Sequence, residues 1–167
     1  MEFRQINDII QQHLGSSVIQ EVNDENIQPF VVVDTKAIVD VCQLLHTHKE
    51  LYFDHLSCLS GVDLGTEADK MEVVYHLYSI PYNHHFILKV RIDRFTGQKG
   101  KLPAVPSLTG IWKSADWHER EAFDLFGIVF EGHPDLRRIL LPANWEGYPL
   151  RKDYKTQEYY HGVKVDY

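Results

Sequence analysis

MEVVYHLYSIPYNHHFILKVRID, residues 71–93, predicts two strands joined by a tight turn. Residues 71–80 are rich in β-branched and aromatic side chains, and the Pro-Tyr-Asn sequence that follows them is typical of a hairpin turn. Residues 85–93 alternate between apolar and charged side chains, as a half-buried strand requires. The inward positions are Phe86, Leu88, Val90 and Ile92, and the outward positions are Lys89, Arg91 and Asp93. The stretch therefore predicts an antiparallel hairpin.

Two segments before this hairpin predict helices. The first has apolar residues at helical spacing, namely Phe3, Ile6, Ile10 and Leu14. Gly15 follows it and is suited to the left-handed C-cap position. Asp34 or Thr35 is expected to cap the second helix, whose buried face consists of Ile38, Val41, Cys42 and Leu45. Cys42 is therefore expected to be a structural thiol of the core rather than a reactive one.

Three further segments predict strands, at residues 17–22, 27–33 and 52–62. In the last of these, Leu56, Cys58 and Val62 have the same parity and are expected on one face. The order of elements is then αββαβββ, which predicts an α+β domain of two layers, with helices packed on a mainly antiparallel or mixed sheet. A doubly wound parallel sheet would need a helix after nearly every strand.

Composition excludes several classes of protein. The chain has 167 residues and a formal net charge of −7, with 44% hydrophobic and 25% charged residues, as in ordinary globular domains. The acidic balance argues against general binding to nucleic acid or to anionic membranes. No apolar run approaches the ~20 residues of a membrane-spanning helix, and Glu2, Arg4 and Asp8 interrupt any signal peptide. Two isolated cysteines predict neither a disulfide framework nor a cluster with four thiolate ligands.

The chain changes in character after about residue 100. Residues 94–107 contain two glycines and two prolines and are predicted to be a linker. We therefore divide the chain into an α+β domain (residues 1–106), a segment of short helices and a turn (107–141) and an extended tail (142–167). The last two segments carry 11 of the 20 aromatic residues and a nearly neutral balance of charges.

A short helix is predicted for residues 117–126. Asp116 and Glu119 have the spacing of a capping box, and Gly127 is expected to end the helix in the αL conformation. Arg120 and Asp124 are spaced as an ion pair on one helix face.

The dense carboxylates allow two interpretations. Glu121 and Asp124 could be an acid/base pair, but Arg120, Arg137 and Arg138 are near in sequence and favour ionised, salt-bridged carboxylates. His118-Glu119 begins like a zinc-protease motif, but Ala122 stands where the second histidine is needed.

The segment after this helix is expected to turn at Gly132, to form a helix of one or two turns with Leu136, Ile139 and Leu140 on one face, and to project Arg137 and Arg138 from the other. His133 is expected to form hydrogen bonds in the turn. The tail has no periodicity and is rich in Tyr, Trp and Arg, which are enriched at interfaces. It is expected either to dock on a partner or to fold back over its own domain.

Four runs of residues resemble one known family. They are ERE (119–121), DLFGI (124–128), GHPDLRRIL (132–140) and GYPLRKDY (147–154). These runs closely resemble the C subunit of respiratory complex I, the NADH:quinone oxidoreductase, whose mitochondrial relative is the 30 kDa subunit.

The resemblance implies a non-catalytic subunit of the peripheral arm, on the cytoplasmic side of the membrane. It implies that FMN and the iron–sulfur clusters are held by neighbouring subunits and none by this chain. The implied partners are the large subunit of the quinone pocket and the small subunit with the terminal cluster. The residues expected to form the docking motif are Glu119, Arg120, Glu121, Asp124, Gly127, His133, Pro134, Arg137, Arg138, Trp145, Tyr148, Arg151, Lys152 and Asp153.

Two alternatives stay open at the level of sequence. One is the same scaffold role in a related membrane-bound hydrogenase or another quinone-reducing complex. The other is a stand-alone acid/base enzyme that uses Glu121 and Asp124.

Replacement of Arg138 by alanine is expected to lower the amount of assembled complex and to leave the fold of the chain intact.

Overall fold

The structure is a computed structural model that describes residues 1–95 and 101–165. In chain order its elements are α1 Phe3–Leu14, β1 Ile19–Asn23, β2 Phe30–Val33, α2 Ile38–Thr47, β3 His55–Asp63, β4 Lys70–Ser79, β5 His84–Asp93, β6 Ala104–Pro106, α3 Ala115–Phe126, β7 Val129–Glu131, β8 Tyr159–Tyr160 and β9 Val163–Lys164. Short 3₁₀ turns precede β1 and α2. The predicted α+β class is confirmed.

Five strands form one mixed sheet in the order β1-β2-β5-β4-β3. β4 and β5 pair antiparallel along their whole length, from Lys70 opposite Asp93 to Ser79 opposite His84, which confirms the predicted hairpin. β2 lies parallel to β5, because the chain passes through α2, β3 and β4 before it returns beside β2.

α1 and α2 supply apolar faces to the core on one side of this sheet. Ile6 and Ile10 of α1 are wholly buried, and so are the four residues predicted for α2. Burial raises the pKa of the Cys42 thiol far above its usual range, which keeps the thiol protonated and confirms its structural role.

The ends of these two helices differ from their predictions. Gly15 ends α1 with φ 87° and ψ 157°, which is outside the αL region, although its N–H still donates to Gln11 O. The Asp34 carboxylate accepts a hydrogen bond from Lys36 N (2.8 Å) and caps the 3₁₀ turn before α2 rather than α2 itself.

A β-bulge in β3 overturns the predicted parity of that strand. The register shifts between Leu56 and Cys58, so the buried positions after Leu56 are Leu59 and Asp63. An inserted residue changes which face every later side chain occupies. Cys58 and Val62 therefore lie on the opposite face from Leu56.

The predicted linker contains a strand. Residues 104–106 form β6 and pair parallel to β7, and Val105 is wholly buried. Prolines at 103 and 106 conceal this strand in the sequence, although Pro103 still accepts a hydrogen bond from Val129 N (2.8 Å). Residues 96–100 of the predicted linker lie outside the described residues.

α3 packs against β3 and joins the main core. Ala115 and Ala122 face inward, and the ring of Phe126 lies over Gly61, where an added Cβ would come within 2.8 Å of that ring. Buried residues on both sides of position 106 therefore share one hydrophobic core, which includes Val105, Leu108 and Trp112 as well as the helices and sheet described above.

Within the two described ranges, no helix combines the length and the apolar character needed to cross a bilayer.

Candidate functional site

The motif residues are arranged around the two faces of α3. The helix begins at Ala115, and Ser114 at its N-cap position forms no side-chain cap. The predicted capping box is therefore wrong. The reason is that Glu119 points into the core, where it accepts hydrogen bonds from Ser107 Oγ (2.6 Å) and Leu108 N (2.7 Å).

Glu119 is wholly buried and has no basic partner within 4.0 Å among the described residues. Burial raises the pKa of its carboxyl to about 7; the hydrogen bonds from Ser107 and Leu108 lower it by less, and the nearby Asp116 charge raises it further. Salt-bridged carboxylates are favoured for this segment by its sequence, but among the described residues Glu119 is held by hydrogen bonds alone. The phenol of Tyr75 is also buried, and burial is the main cause that raises its pKa, with a further contribution from Glu119.

Asp124 is equally buried, on the opposite side of α3, and both oxygens of its carboxylate accept hydrogen bonds. Arg138 Nη1 donates to Asp124 Oδ1 (2.6 Å). Its Oδ2 accepts from three consecutive backbone amides, those of Ile139 (3.0 Å), Leu140 (2.8 Å) and Leu141 (2.8 Å). Burial alone would raise the pKa of this carboxyl, but these four hydrogen bonds outweigh burial and lower it.

The three amides around Asp124 explain why residues 134–140 form no helix, contrary to the prediction. Backbone N–H groups that converge on one carboxylate cannot also point along a helix axis to carbonyls four residues earlier. Leu140 consequently points outward and is 62% exposed rather than sharing a buried face.

The predicted Arg120–Asp124 ion pair is also wrong. Arg120 Nη1 lies 3.9 Å from Asp116 Oδ1, and Arg120 Nε donates to Arg137 O (3.3 Å). Its guanidinium also lies 5.5 Å from the centre of the Trp117 ring. Asp124 is already occupied by Arg138, which is more distant in sequence.

The two adjacent arginines have different environments. The Arg138 side chain is 14% exposed; besides Asp124 it donates to Trp145 O (3.1 Å) and Gly147 O (2.9 Å). The Arg137 side chain is 72% exposed, and among the described residues it pairs with its neighbour Asp135 (2.9 Å). The expectation that both guanidiniums project outward therefore holds for Arg137 alone.

Tyr148 closes the far end of α3. Gly127 ends the helix in the αL conformation with φ 68°, as predicted, and an added Cβ there would lie 2.6 Å from the Tyr148 ring. Arg138 and Arg151 lie over the same ring at 5.2 and 4.8 Å. Arg151 Nε also donates to Phe126 O (2.6 Å), so this part of the tail folds back on the helix.

A second attachment joins the tail to the sheet. Arg94 Nε donates to the buried Asp63 (3.0 Å), and Arg94 also forms an ion pair with Asp153. Asp63 accepts Lys152 N (2.8 Å) and Gly65 N (2.9 Å) as well. Burial would raise the Asp63 pKa, but the two amides and Arg94 lower it. We call this group the Asp63 clasp.

The remaining predicted residues form local contacts. His133 Nε2 donates to Asp116 O (3.2 Å) and His133 Nδ1 accepts from Asp135 N (3.0 Å), which confirms the predicted turn role. Pro134 is exposed in that turn, and Trp145 Nε1 donates to Tyr154 Oη (3.1 Å). Glu121 is exposed on α3 and does not face Asp124 as a partner.

The structure thus brings Asp124, Arg138, Tyr148, Arg151 and Gly127 together. It places Lys152 and Asp153 at the Asp63 clasp instead. Asp63 and Arg94 belong to no sequence motif. The predicted parity of β3 would place Asp63 on the outward face, and the bulge after Leu56 turns it inward. In the described ranges no three His, Cys, Asp or Glu side chains are grouped so that they could hold a metal ion.

Comparison with known proteins gives a family. The model of the respiratory-chain NADH dehydrogenase 30 kDa subunit matches residues 31–160, which include α3 and the whole segment around Asp124. The chain belongs to this family. The resemblance found in residues 119–154 is confirmed.

Two relatives are both named as the C subunit of an NADH-quinone oxidoreductase. The protein of Chlorobium phaeobacteroides is 44% identical over 161 residues, which are 96% of this chain and 93% of the relative. That of Chloroherpeton thalassium is 43% identical over 159 residues, 95% of this chain but 63% of the longer relative.

A chain in the structure of a membrane-bound sulfane sulfur reductase, an archaeal respiratory membrane complex, has the same fold, with a TM-score of 0.72. The match covers 91% of this chain and 84% of that chain at 22% identity, so it establishes the fold alone.

Proposed function

We propose that this chain is a non-catalytic subunit of the peripheral arm of a proton-translocating NADH:quinone oxidoreductase. In this proposal it lies on the cytoplasmic side of the membrane and positions the quinone-pocket subunit and the small subunit with the terminal cluster. FMN and the iron–sulfur clusters belong to neighbouring subunits, and the isolated chain has no NADH:quinone activity. Membership of the family and the names of the relatives support this function.

The proposal rests on one observation: some motif residues bond within the chain, whereas others are exposed to solvent. Arg138, Asp124, Tyr148 and Arg151 bond to one another and to the chain's own backbone. Charged groups that are satisfied internally contribute rigidity rather than contacts with a partner. They form a frame that fixes the path of residues 132–151.

The frame presents a different set of side chains to solvent. Trp117 is 65% exposed, Leu140 is 62% exposed, and Leu150 is also exposed. Large apolar and aromatic groups on an ordered surface are typical anchors of protein interfaces. We therefore assign docking to Trp117, Leu140, Leu150 and Arg137, and framing to Arg138.

The test compares two substitutions of equal exposure. Leu140 lies on the proposed docking surface, and Ile80, also 62% exposed, lies at the β4–β5 turn. Each is replaced by alanine in the native organism, and the complex is purified from membranes through a tag on this chain. Leu140→Ala is expected to lower the amount of recovered complex about fivefold. Loss of one interface anchor weakens the binding free energy by about 1 kcal/mol, which corresponds to that factor. Ile80→Ala should recover the wild-type amount.

The same purification separates the alternatives. NADH oxidation by the recovered complex supports the proposal, whereas a recovered hydrogenase or other quinone-reducing complex assigns the scaffold role there. Turnover by the purified chain alone, with a bell-shaped pH profile, would establish the acid/base enzyme instead. Equal recovery with Leu140→Ala and Ile80→Ala would contradict the proposed docking surface.

A further inference from the structure

The two edges of the five-stranded sheet are built differently. β1 forms one edge; it is five residues long, contains a bulge and bears Glu21, which pairs with Arg91. β3 forms the other edge and is nine residues long. Its residues 56–62, LSCLSGV, contain neither a charge nor a proline. Charges, prolines and short length are the usual means by which exposed edges avoid pairing with another chain.

The backbone of β3 has hydrogen-bond capacity to spare. β4 pairs with it on one side, and alternate residues of an edge strand direct N–H and C=O groups away from the neighbouring strand. Ser114 Oγ donates to Leu56 O (3.1 Å) at one end. Between residues 57 and 62, no other described part of the chain contributes a backbone hydrogen bond beyond the β4 ladder.

A groove runs along this edge, between β3 and α3. It is lined by Cys58 and Ser60, whose side chains belong to one face of β3, and by Leu59 and Gly61, which belong to the other. Four consecutive residues of β3 border the groove, as expected for a groove that follows the free edge of the strand. Its opposite wall is apolar and consists of Leu125, Phe126 and Leu150, while His118 and Glu121 also border it.

We propose that an extended segment of a neighbouring subunit binds in this groove as a sixth strand beside β3. The inference rests on the proposed function, because the partner is part of the same complex. An extended chain is the one occupant that pairs with the spare N–H and C=O groups in register, since a helix satisfies its backbone internally. Alternate side chains of that segment are apolar and pack on Leu125, Phe126 and Leu150.

Hydrogen exchange measured by mass spectrometry tests the inference directly. The purified full-length chain is compared with the same chain in the complex isolated from membranes. In the complex, about half of the β3 amides are expected to gain protection, because those directed at β4 are protected already. The matched control is β1, the opposite edge of the same sheet, whose exchange should stay the same.

A pair of variants tests the apolar wall. Leu125→Glu places a charge in the groove, whereas Val39→Glu places one at a partly exposed apolar position of α2 outside it. Leu125→Glu is expected to lower the recovered complex at least about fivefold relative to Val39→Glu. Thermal unfolding of both purified chains shows whether each remains folded, and the exchange experiment on the wild type is independent of either variant.

The outcomes separate this inference from the proposed function. A chain that is recovered in the complex with unprotected β3 amides would overturn the sixth strand and leave the scaffold role intact. A chain that does not join any complex would overturn both. Protection of β3 in a dimer of the isolated chain, unchanged on assembly, would show that a second copy rather than a neighbouring subunit occupies the edge.

Discussion

Asp124 and Glu119 are carboxylates on different faces of α3, and both are wholly excluded from solvent. Asp124 accepts hydrogen bonds from Arg138 and three amides, which lower its pKa. Glu119 accepts from one hydroxyl and one amide, and burial raises its pKa to about 7. Equally buried carboxyl groups therefore have pKa values shifted in opposite directions. The number and charge of their hydrogen-bond donors decide the direction.

The two faces of α3 therefore contribute differently to the structure. The Asp124 face holds the motif segment in place with ion pairs and backbone amides. The Glu119 face belongs to the core and carries a charge there at a cost in stability. Substitutions that alter one face at a time separate these two contributions.

The largest effect is expected for Arg138→Ala. This substitution leaves the buried Asp124 carboxylate without its cation, and removal of one partner from a buried pair typically costs about 3–5 kcal/mol. Urea unfolding at pH 7 measures the loss. The control is Arg137→Ala, which removes an exposed guanidinium and should cost less than about 1 kcal/mol.

This result would revise the expectation, formed from the sequence, that Arg138→Ala leaves the fold of the chain intact. Equal stabilities for the two arginine variants would show instead that the Asp124 face contributes no more than a surface pair.

Replacement of Glu119 by glutamine tests the other face through its pH dependence. The folded pKa of about 7 lies above the ordinary value of 4.5, so the wild type loses stability as pH rises between these values. The shift corresponds to roughly 3 kcal/mol at about 1.36 kcal/mol per pKa unit. Glu119→Gln lacks this loss, and its stability relative to wild type should increase by that amount from pH 4 to pH 8.

Urea unfolding of both proteins across this range isolates the Glu119 contribution, because all other titrating groups are shared. Glu121→Gln is the matched control, because it makes the same substitution at an exposed position of the same helix. A difference that does not vary with pH would mean that Glu119 is not the group that titrates.

A smaller effect is expected at the end of the helix, where both faces meet the tail. Gly127→Ala forces a side chain into φ 68° and against the Tyr148 ring, which should cost about 1–3 kcal/mol. Gly110→Ala is the control, because nothing lies within 4 Å of an added Cβ there. Thermal unfolding compares the two, and equal melting temperatures would contradict a cost from the positive φ at Gly127 and from the nearby Tyr148 ring.

The smallest effect is expected at the Asp63 clasp. Asp153 is about half exposed, so Asp153→Asn should lower stability by no more than about 1 kcal/mol. Local opening of the tail is a more sensitive measure, and limited proteolysis after residue 151 should become faster. Unchanged cleavage would indicate that Lys152 N and Asp63 hold the tail without this ion pair.

The sequence predicts those parts of the fold that depend on local periodicity. The alternation in β5 and the helical spacing in α2 identify their buried faces correctly, because each pattern arises within a single element. The bulge at Leu56 is invisible to such reasoning, since one inserted residue reverses the parity of all that follow. β6 is concealed for a different reason, because Pro103 precedes it and Pro106 lies within it, and proline is unusual in strands.

The candidate site was predicted less well, because its contacts join distant positions. The i, i+4 rule pairs Arg120 with Asp124, but Arg138, 14 residues away in sequence, donates to that carboxylate instead. Glu119 fits a capping box in sequence and is turned into the core by Ser107 and Leu108. The resemblance to the family located the segment correctly but could not say which of its residues face inward.

The hydrogen bond from Lys152 N to Asp63 spans 89 residues of sequence. This bond cannot form until the intervening residues, which include β4, β5 and α3, have been synthesised. During synthesis, Asp63 and Arg94 therefore leave the ribosome well before the backbone amide that completes their bonding. An interrupted chain would show an incompletely bonded aspartate and arginine at this end of the sheet, which distinguishes it chemically from a finished one.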